Sequence, residues 1–135
     1  MKLAFNVGFS LPLDPSNASD IAAANRRMDF QIGYLANPLF LGLPIPISVS
    51  TALGKKGPFF TAMELAYVNG TCDYFAFDIY TTSYETAPPG GIEPCTQDPS
   101  NPLFPYCTIN QVIRDGWDVG AQGNGGSHVS CANRP

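Results

Sequence analysis

Residues 72–82 read Cys72-Asp73-Tyr74-Phe75-Ala76-Phe77-Asp78-Ile79-Tyr80-Thr81-Thr82. Aromatic and β-branched residues fill this run, the types that suit a pleated, half-buried surface. Alternation places Phe75, Phe77 and Ile79 on one face and Tyr74, Ala76, Asp78 and Tyr80 on the other, which predicts a strand with two faces of different character. The same period occurs near the N-terminus. There Leu3, Phe5, Val7 and Phe9 alternate with Ala4, Asn6 and Gly8 until Leu11-Pro12-Leu13-Asp14-Pro15 stops the run. The long stretch between the two strands excludes a tight hairpin and suits a parallel pair with a helical crossover. The expected class is α/β.

Two helices are predicted between the strands. Ser16, Asn17 and Ser19 are candidate N-caps, and Asp20 puts negative charge into the first turn. Ile21, Ala24, Met28, Ile32 and Leu35 form an apolar stripe, with Arg26, Arg27 and Asp29 off it. Asn37-Pro38 is expected to end this helix, because proline disfavours the α conformation in the residue before it. Residues 42–58 form a connector punctuated by Gly and Pro, with a turn of helix around Ser48 to Leu53. The second helix fits Thr61 to Val68, with Thr61 and Glu64 at capping-box spacing and Asn69-Gly70 closing it. Beyond Tyr84 the sequence reads as a long loop through Pro88-Pro89-Gly90-Gly91 to Cys107, then a short helix from Ile109 to Arg114. The Gly-rich stretch from Gly120 to Gly126 reads as part of a flexible tail.

The chain has 135 residues, enough for one domain or part of one. Its net charge is −4, and its seven Lys and Arg are scattered, so no basic stripe neutralises phosphates and nucleic-acid binding is not expected. No apolar run approaches the length of a membrane span, and Lys2 to Pro12 is too short and interrupted for a signal peptide. Of the four cysteines, Cys95 and Cys107 flank the Pro-rich loop, where a disulfide would restrain a segment with few contacts. Cys72 reads as a buried thiol and Cys131 lies in a polar tail. Asn17-Ala18-Ser19 and Asn69-Gly70-Thr71 fit the glycosylation sequon, which matters if the chain is secreted. Cys95, Cys107, His128 and Cys131 lack the short ligand spacing of a zinc site, so no metal and no cofactor are expected.

Polar groups near the C-terminal end of a parallel strand are where a barrel builds its active site. Asp78 and Tyr80 are so placed, although their residue types also suit a turn cap and an amphipathic wall residue. Glu93, before Pro94, reads as a loop carboxylate, and His128 is given no role.

Several segments then resemble one family. Asp20-Ile21-Ala22-Ala23-Ala24 through Arg27, Asp29-Phe30-Gln31-Ile32-Gly33-Tyr34 and Asn37-Pro38-Leu39-Phe40-Leu41-Gly42 are similar to the helix and loop before a Gly-x-Tyr-Pro turn in glycoside hydrolase family 1, the β-glucosidase family, with Pro46 matching that turn's Pro. Phe60-Thr61 with Glu64, Asn69-Gly70-Thr71 and Asp73 to Thr82 resemble the stretch entering the family's sixth barrel strand. Pro89-Gly90-Gly91-Ile92, Cys95, Asn101-Pro102-Leu103, Pro105, Cys107, Gly116-Trp117 and Gly120 resemble the long loop of its fungal members.

The resemblance implies a partial (β/α)8 TIM barrel over residues 1–120, covering the fifth and sixth strands, and an unmatched tail over 121–135. The family hydrolyses β-glycosides with retention, using two glutamates about 5–5.5 Å apart. The resemblance places one in an Asn-Glu-Pro motif after the fourth strand and the other in a Glu-Asn-Gly motif on the seventh. Neither motif occurs here. It also implies that Tyr80 orients the nucleophile and that Asp78 stands near the sugar, where many members have Asn. The expected function is therefore that of a fragment of a retaining β-glucosidase, inactive alone, whose full-length form takes a β-glucoside or oligosaccharide. The alternative is a secreted, disulfide-stapled, non-catalytic carbohydrate-binding module.

Overall fold

The two segments of period two lie side by side. In a computed structural model, which describes residues 2–57 and 59–120 and the side chains of all these except 2–6, 56, 78 and 80, β1 (Lys2–Pro12) pairs in parallel with β2 (Tyr74–Thr86). The register runs from Lys2 opposite Tyr74 to Pro12 opposite Glu85. It shifts between Val7 and Gly8: Val7 faces Ile79, Gly8 faces Thr81, and Tyr80 is the extra residue of a bulge. Glycine suits that point, because a Cβ on Gly8 would lie 2.6 Å from Thr81 Oγ1.

α1 (Ala18–Met28) crosses over the pair, capped by the Asn17 side chain, which accepts from the Ser19 N–H. Its buried face is Asp20, Ala23 and Ala24, whereas Ile21 is exposed. Small residues let the helix lie close to the sheet. The expected stop at Asn37-Pro38 is overturned: the helical path continues through a π turn (Asp29–Gly33), α2 (Tyr34–Ala36) and a second π turn (Asn37–Leu41). Pro38 stands at the start of that last wide turn and is fully buried. The path ends at Gly42 in the left-handed region (φ 63°), with the Gly42 and Leu43 N–H groups both donating to the Asn37 carbonyl.

α3 (Ile47–Leu53) takes the place of the expected helical turn, and a 3₁₀ turn (Gly54–Lys56) follows it. α4 (Ala62–Val68) carries the expected capping box: Thr61 Oγ1 accepts from the Glu64 N–H at 3.3 Å, and Glu64 Oε2 accepts from the Thr61 N–H at 2.8 Å.

Beyond β2 the structure departs from the sequence reading twice. The Pro-rich loop contains a short helix, α5 (Ile92–Thr96), while the expected Cys95–Cys107 bridge is present across a Cα–Cα distance of 5.6 Å. The expected helix from Ile109 to Arg114 is absent. Ile109–Gln111 forms β3, antiparallel to the end of β2, and Ile113–Arg114 (β4) pairs with Trp117–Asp118 (β5). β-Branched residues and an available sheet edge favour strand there, and Asp115-Gly116, both at positive φ, make the hairpin turn.

Buried apolar residues include Val7, Ala23, Ala24, Leu39, Val49 and Cys72, the last a free thiol as expected. Other apolar residues remain uncovered. Phe77 is 45% exposed and Ile79 51%, so the apolar face of β2 is only partly covered.

Candidate active-site end of the parallel strands

β1 and β2 run in the same direction, so their carboxyl ends emerge on one side of the sheet. There Glu85 is wholly buried. Its Oε1 accepts from Ser83 Oγ at 2.9 Å, Asn110 Nδ2 at 3.0 Å and Ser10 Oγ at 3.5 Å, and its Oε2 accepts from Thr108 Oγ1 at 2.7 Å. A buried carboxylate needs such donors to offset lost hydration. The four come from β1, β2, β3 and the residue just past the disulfide, so one side chain ties these segments together. Ser10 Oγ also reaches Gln31 Oε1 at 3.4 Å, which joins the helical path to the cluster.

Asp20 makes a second junction. Its Oδ1 accepts from Thr86 Oγ1 at 2.6 Å and its Oδ2 from the Asp14 N–H at 3.1 Å, fixing the start of α1 to the end of β2. Arg26 clasps the loop from the other end: Nε donates to the Tyr106 carbonyl and Nη2 to the Pro105 carbonyl, both at 2.7 Å. Partial burial lowers the Arg26 pKa, and the Asp29 charge opposes that shift. The Arg27 guanidinium lies 3.8 Å from the centre of the Tyr106 ring, which meets Phe30 edge-on at 5.2 Å. Glu93, expected as a loop carboxylate, stands on α5.

Of the residues expected to carry chemistry, Asp78 lies opposite Asn6 and Tyr80 at the bulge; their side chains lie outside the described part. Asn17 caps α1 and Asn69 ends α4, both exposed. His128, Cys131 and the whole segment 121–135 lie outside the described residues. Among the described residues, no three His, Cys, Asp or Glu side chains group as metal ligands, and no helix is long and apolar enough to cross a membrane.

The sequence reading missed Glu85. Its signal was a carboxylate continuing the strand between Tyr84 and Thr86, with Ser83 two residues before it on the same face. Away from this cluster, Asn37, Leu43, Pro44, Pro46, Phe59 and Phe60 are among the residues lining an open cleft of about 500 Å³, apolar for the most part.

Comparison with known proteins places this geometry. The chain is 33% identical over 122 residues to Beta-glucosidase 34 of Oryza sativa subsp. japonica, a match spanning 90% of this chain and 23% of the relative. It superposes on a rice β-glucosidase mutant in covalent complex with Glc, at TM-score 0.67 and 32% identity, covering 87% of this chain and 24% of that one. A family 1 β-glucosidase from the fungus Humicola insolens, in complex with glucose, gives TM-score 0.66 and 28% identity over 90% of this chain and 24% of its own. The chain thus spans about a quarter of the length of these relatives. Its parallel pair and crossover helices are part of a (β/α)8 TIM barrel. Residues 1–111 match the model of Glycosyl hydrolase family 1, and to that family the chain belongs.

Proposed function

We propose that the chain is the segment of a retaining β-glucosidase that carries the fifth and sixth barrel strands. The observation that carries this reading is the family match over residues 1–111, joined to a parallel pair that superposes on solved β-glucosidases. In this role Tyr80 orients the nucleophilic carboxylate and Asp78 stands beside the sugar, while the substrate is a β-glucoside or oligosaccharide. The likeness of the segment from Pro89 to Gly120 to the corresponding loop of fungal members supports a fungal-type enzyme.

Both catalytic glutamates come from other strands of the full barrel, and the isolated chain is inactive. The placement of this chain's three glutamates supports that reading. Both oxygens of Glu85 are taken by buried donors, Glu64 is engaged in a helix cap, and Glu93 lies on α5.

The test is hydrolysis of an aryl β-glucoside. The purified chain should give no turnover, whereas a longer polypeptide from the same locus, reading into Asn-Glu-Pro and Glu-Asn-Gly, should turn over. In that longer protein Tyr80→Phe should lower kcat on the order of 100-fold with a smaller change in KM, the loss expected for one positioned hydrogen-bond donor. Turnover by the isolated chain that survives Tyr80→Phe would overturn both the chemistry and the residue.

A further inference from the structure

α1 starts at Asn17-Ala18-Ser19, an Asn-x-Ser triplet in the exposed turn between β1 and α1. Asn17 Oδ1 accepts the Ser19 N–H at 2.9 Å. An N-glycosidic bond forms at Nδ2 and leaves Oδ1 a carbonyl oxygen, so the cap survives a glycan on Asn17. The second triplet, Asn69-Gly70-Thr71, is held differently. Asn69 Nδ2 stands 2.9 Å from where a Cβ on Gly42 would lie, packed against the left-handed turn that ends the helical path. The Gly70 N–H donates to the Leu39 carbonyl at 2.8 Å and Thr71 Oγ1 to the Val68 carbonyl at 2.7 Å, which ties the triplet to its surroundings. A sugar on Asn69 would grow from the amide nitrogen that faces Gly42. Independently, the Cys95–Cys107 bridge is buried, Cys95 being 3% exposed, and such bridges form in the oxidising compartments where asparagine is glycosylated.

We propose that Asn17 is an N-glycan acceptor of this protein and that Asn69 is not one in the folded chain. Asn17 Nδ2 attacks C1 of the first sugar of a lipid-linked oligosaccharide pyrophosphate. The C1–N bond forms as the C1–O bond to the pyrophosphate breaks; the lipid pyrophosphate leaves and the amide gives up one proton. No residue of the hydrolytic site takes part, so the modification is independent of the hydrolase reading.

The full chain, translated behind a secretory leader with microsomes, provides the test. Chains carrying the Cys95–Cys107 bridge are separated from reduced ones by non-reducing electrophoresis, and peptide mass spectrometry after enzymatic deglycosylation reads each asparagine. The bridged fraction should be modified at Asn17 and not at Asn69. Asn17→Gln should abolish the modification, and Asn69→Gln should leave the pattern unchanged. An unmodified Asn17 in every fraction, bridged chains modified at Asn69 as often as at Asn17, or the lack of any bridged fraction would overturn the proposal.

Discussion

Glu85 has four neutral donors around it, and three of them approach within 3.0 Å. Removing the carboxylate takes the acceptor from the buried Ser83 and Thr108 and from Asn110. Glu85→Ala should therefore destabilise the chain by on the order of 3 kcal/mol, the cost of breaking a buried polar network from one side. A urea midpoint that does not move would show that the cluster is hydrated in solution. Glu85→Gln should recover part of the loss, because the amide keeps one acceptor while bringing two donors of its own into a site already full of donors.

At the scale of single elements, α4 carries its own pH dependence. Hydrogen bonds from the Thr61 backbone N–H, then from its hydroxyl, hold the Glu64 carboxyl below its usual range. Asp14 and Asp98 are lowered in the same way, chiefly by the hydroxyls of Ser16 and Ser100. A depressed folded-state pKa adds stability that is present above the unfolded carboxylate pKa and disappears as pH falls through the folded value. Helical signal should accordingly fall on the acid side of the ordinary carboxylate range. Glu64→Gln, which keeps the capping geometry without the titration, should flatten that slope in circular dichroism. This box was legible in Thr61 and Glu64 because capping is local. Pro38 was misread because its tolerance depends on a wide turn and on burial against other segments. The β4–β5 hairpin was misread too, although Asp115-Gly116 is a recognised turn signal between short runs.

For the whole molecule, the bridge and the Arg26 clasp hold the loop that delivers Thr108 and Asn110 to Glu85. Cys95 and Cys107 are 12 residues apart, and closing a loop of that size contributes about 3 kcal/mol in the chain-entropy account. Thiol reduction, or Cys95→Ser, should lower the urea midpoint and speed proteolysis between residues 97 and 107. Equal protease resistance before and after reduction would show that Arg26 and Tyr106 alone hold the loop. The surface also leaves much apolar area in water: Met63 is 83% exposed and Tyr67 82%, beside the half-covered Phe77 and Ile79. The sheet has the order β1-β2-β3, with β3 pairing only Tyr84 to Thr86 of β2, and exposed sheet edges add to that hazard. The isolated chain should self-associate as its concentration rises, and a concentration-independent monomer in sedimentation would contradict this.

The features set by neighbours in sequence could be read without a structure: the period of β1 and β2, a cap for α1 among Ser16, Asn17 and Ser19, the capping box at Thr61, the closing Asn69-Gly70 and the buried Cys72. They follow from alternation, from the unpaired N–H groups of a first helical turn and from apolar surroundings a few residues away. The order of those motifs also carried the family resemblance. The burial of Glu85, the continuation of the helical path past Pro38, the strand at Ile109 and the docking of the Pro-rich loop were decided by tertiary structure alone. Each depends on partners distant in the chain, Ser10 with Thr108 or Arg26 with Tyr106, and no local period reports which distant donor will reach a carboxylate or which sheet edge will be free.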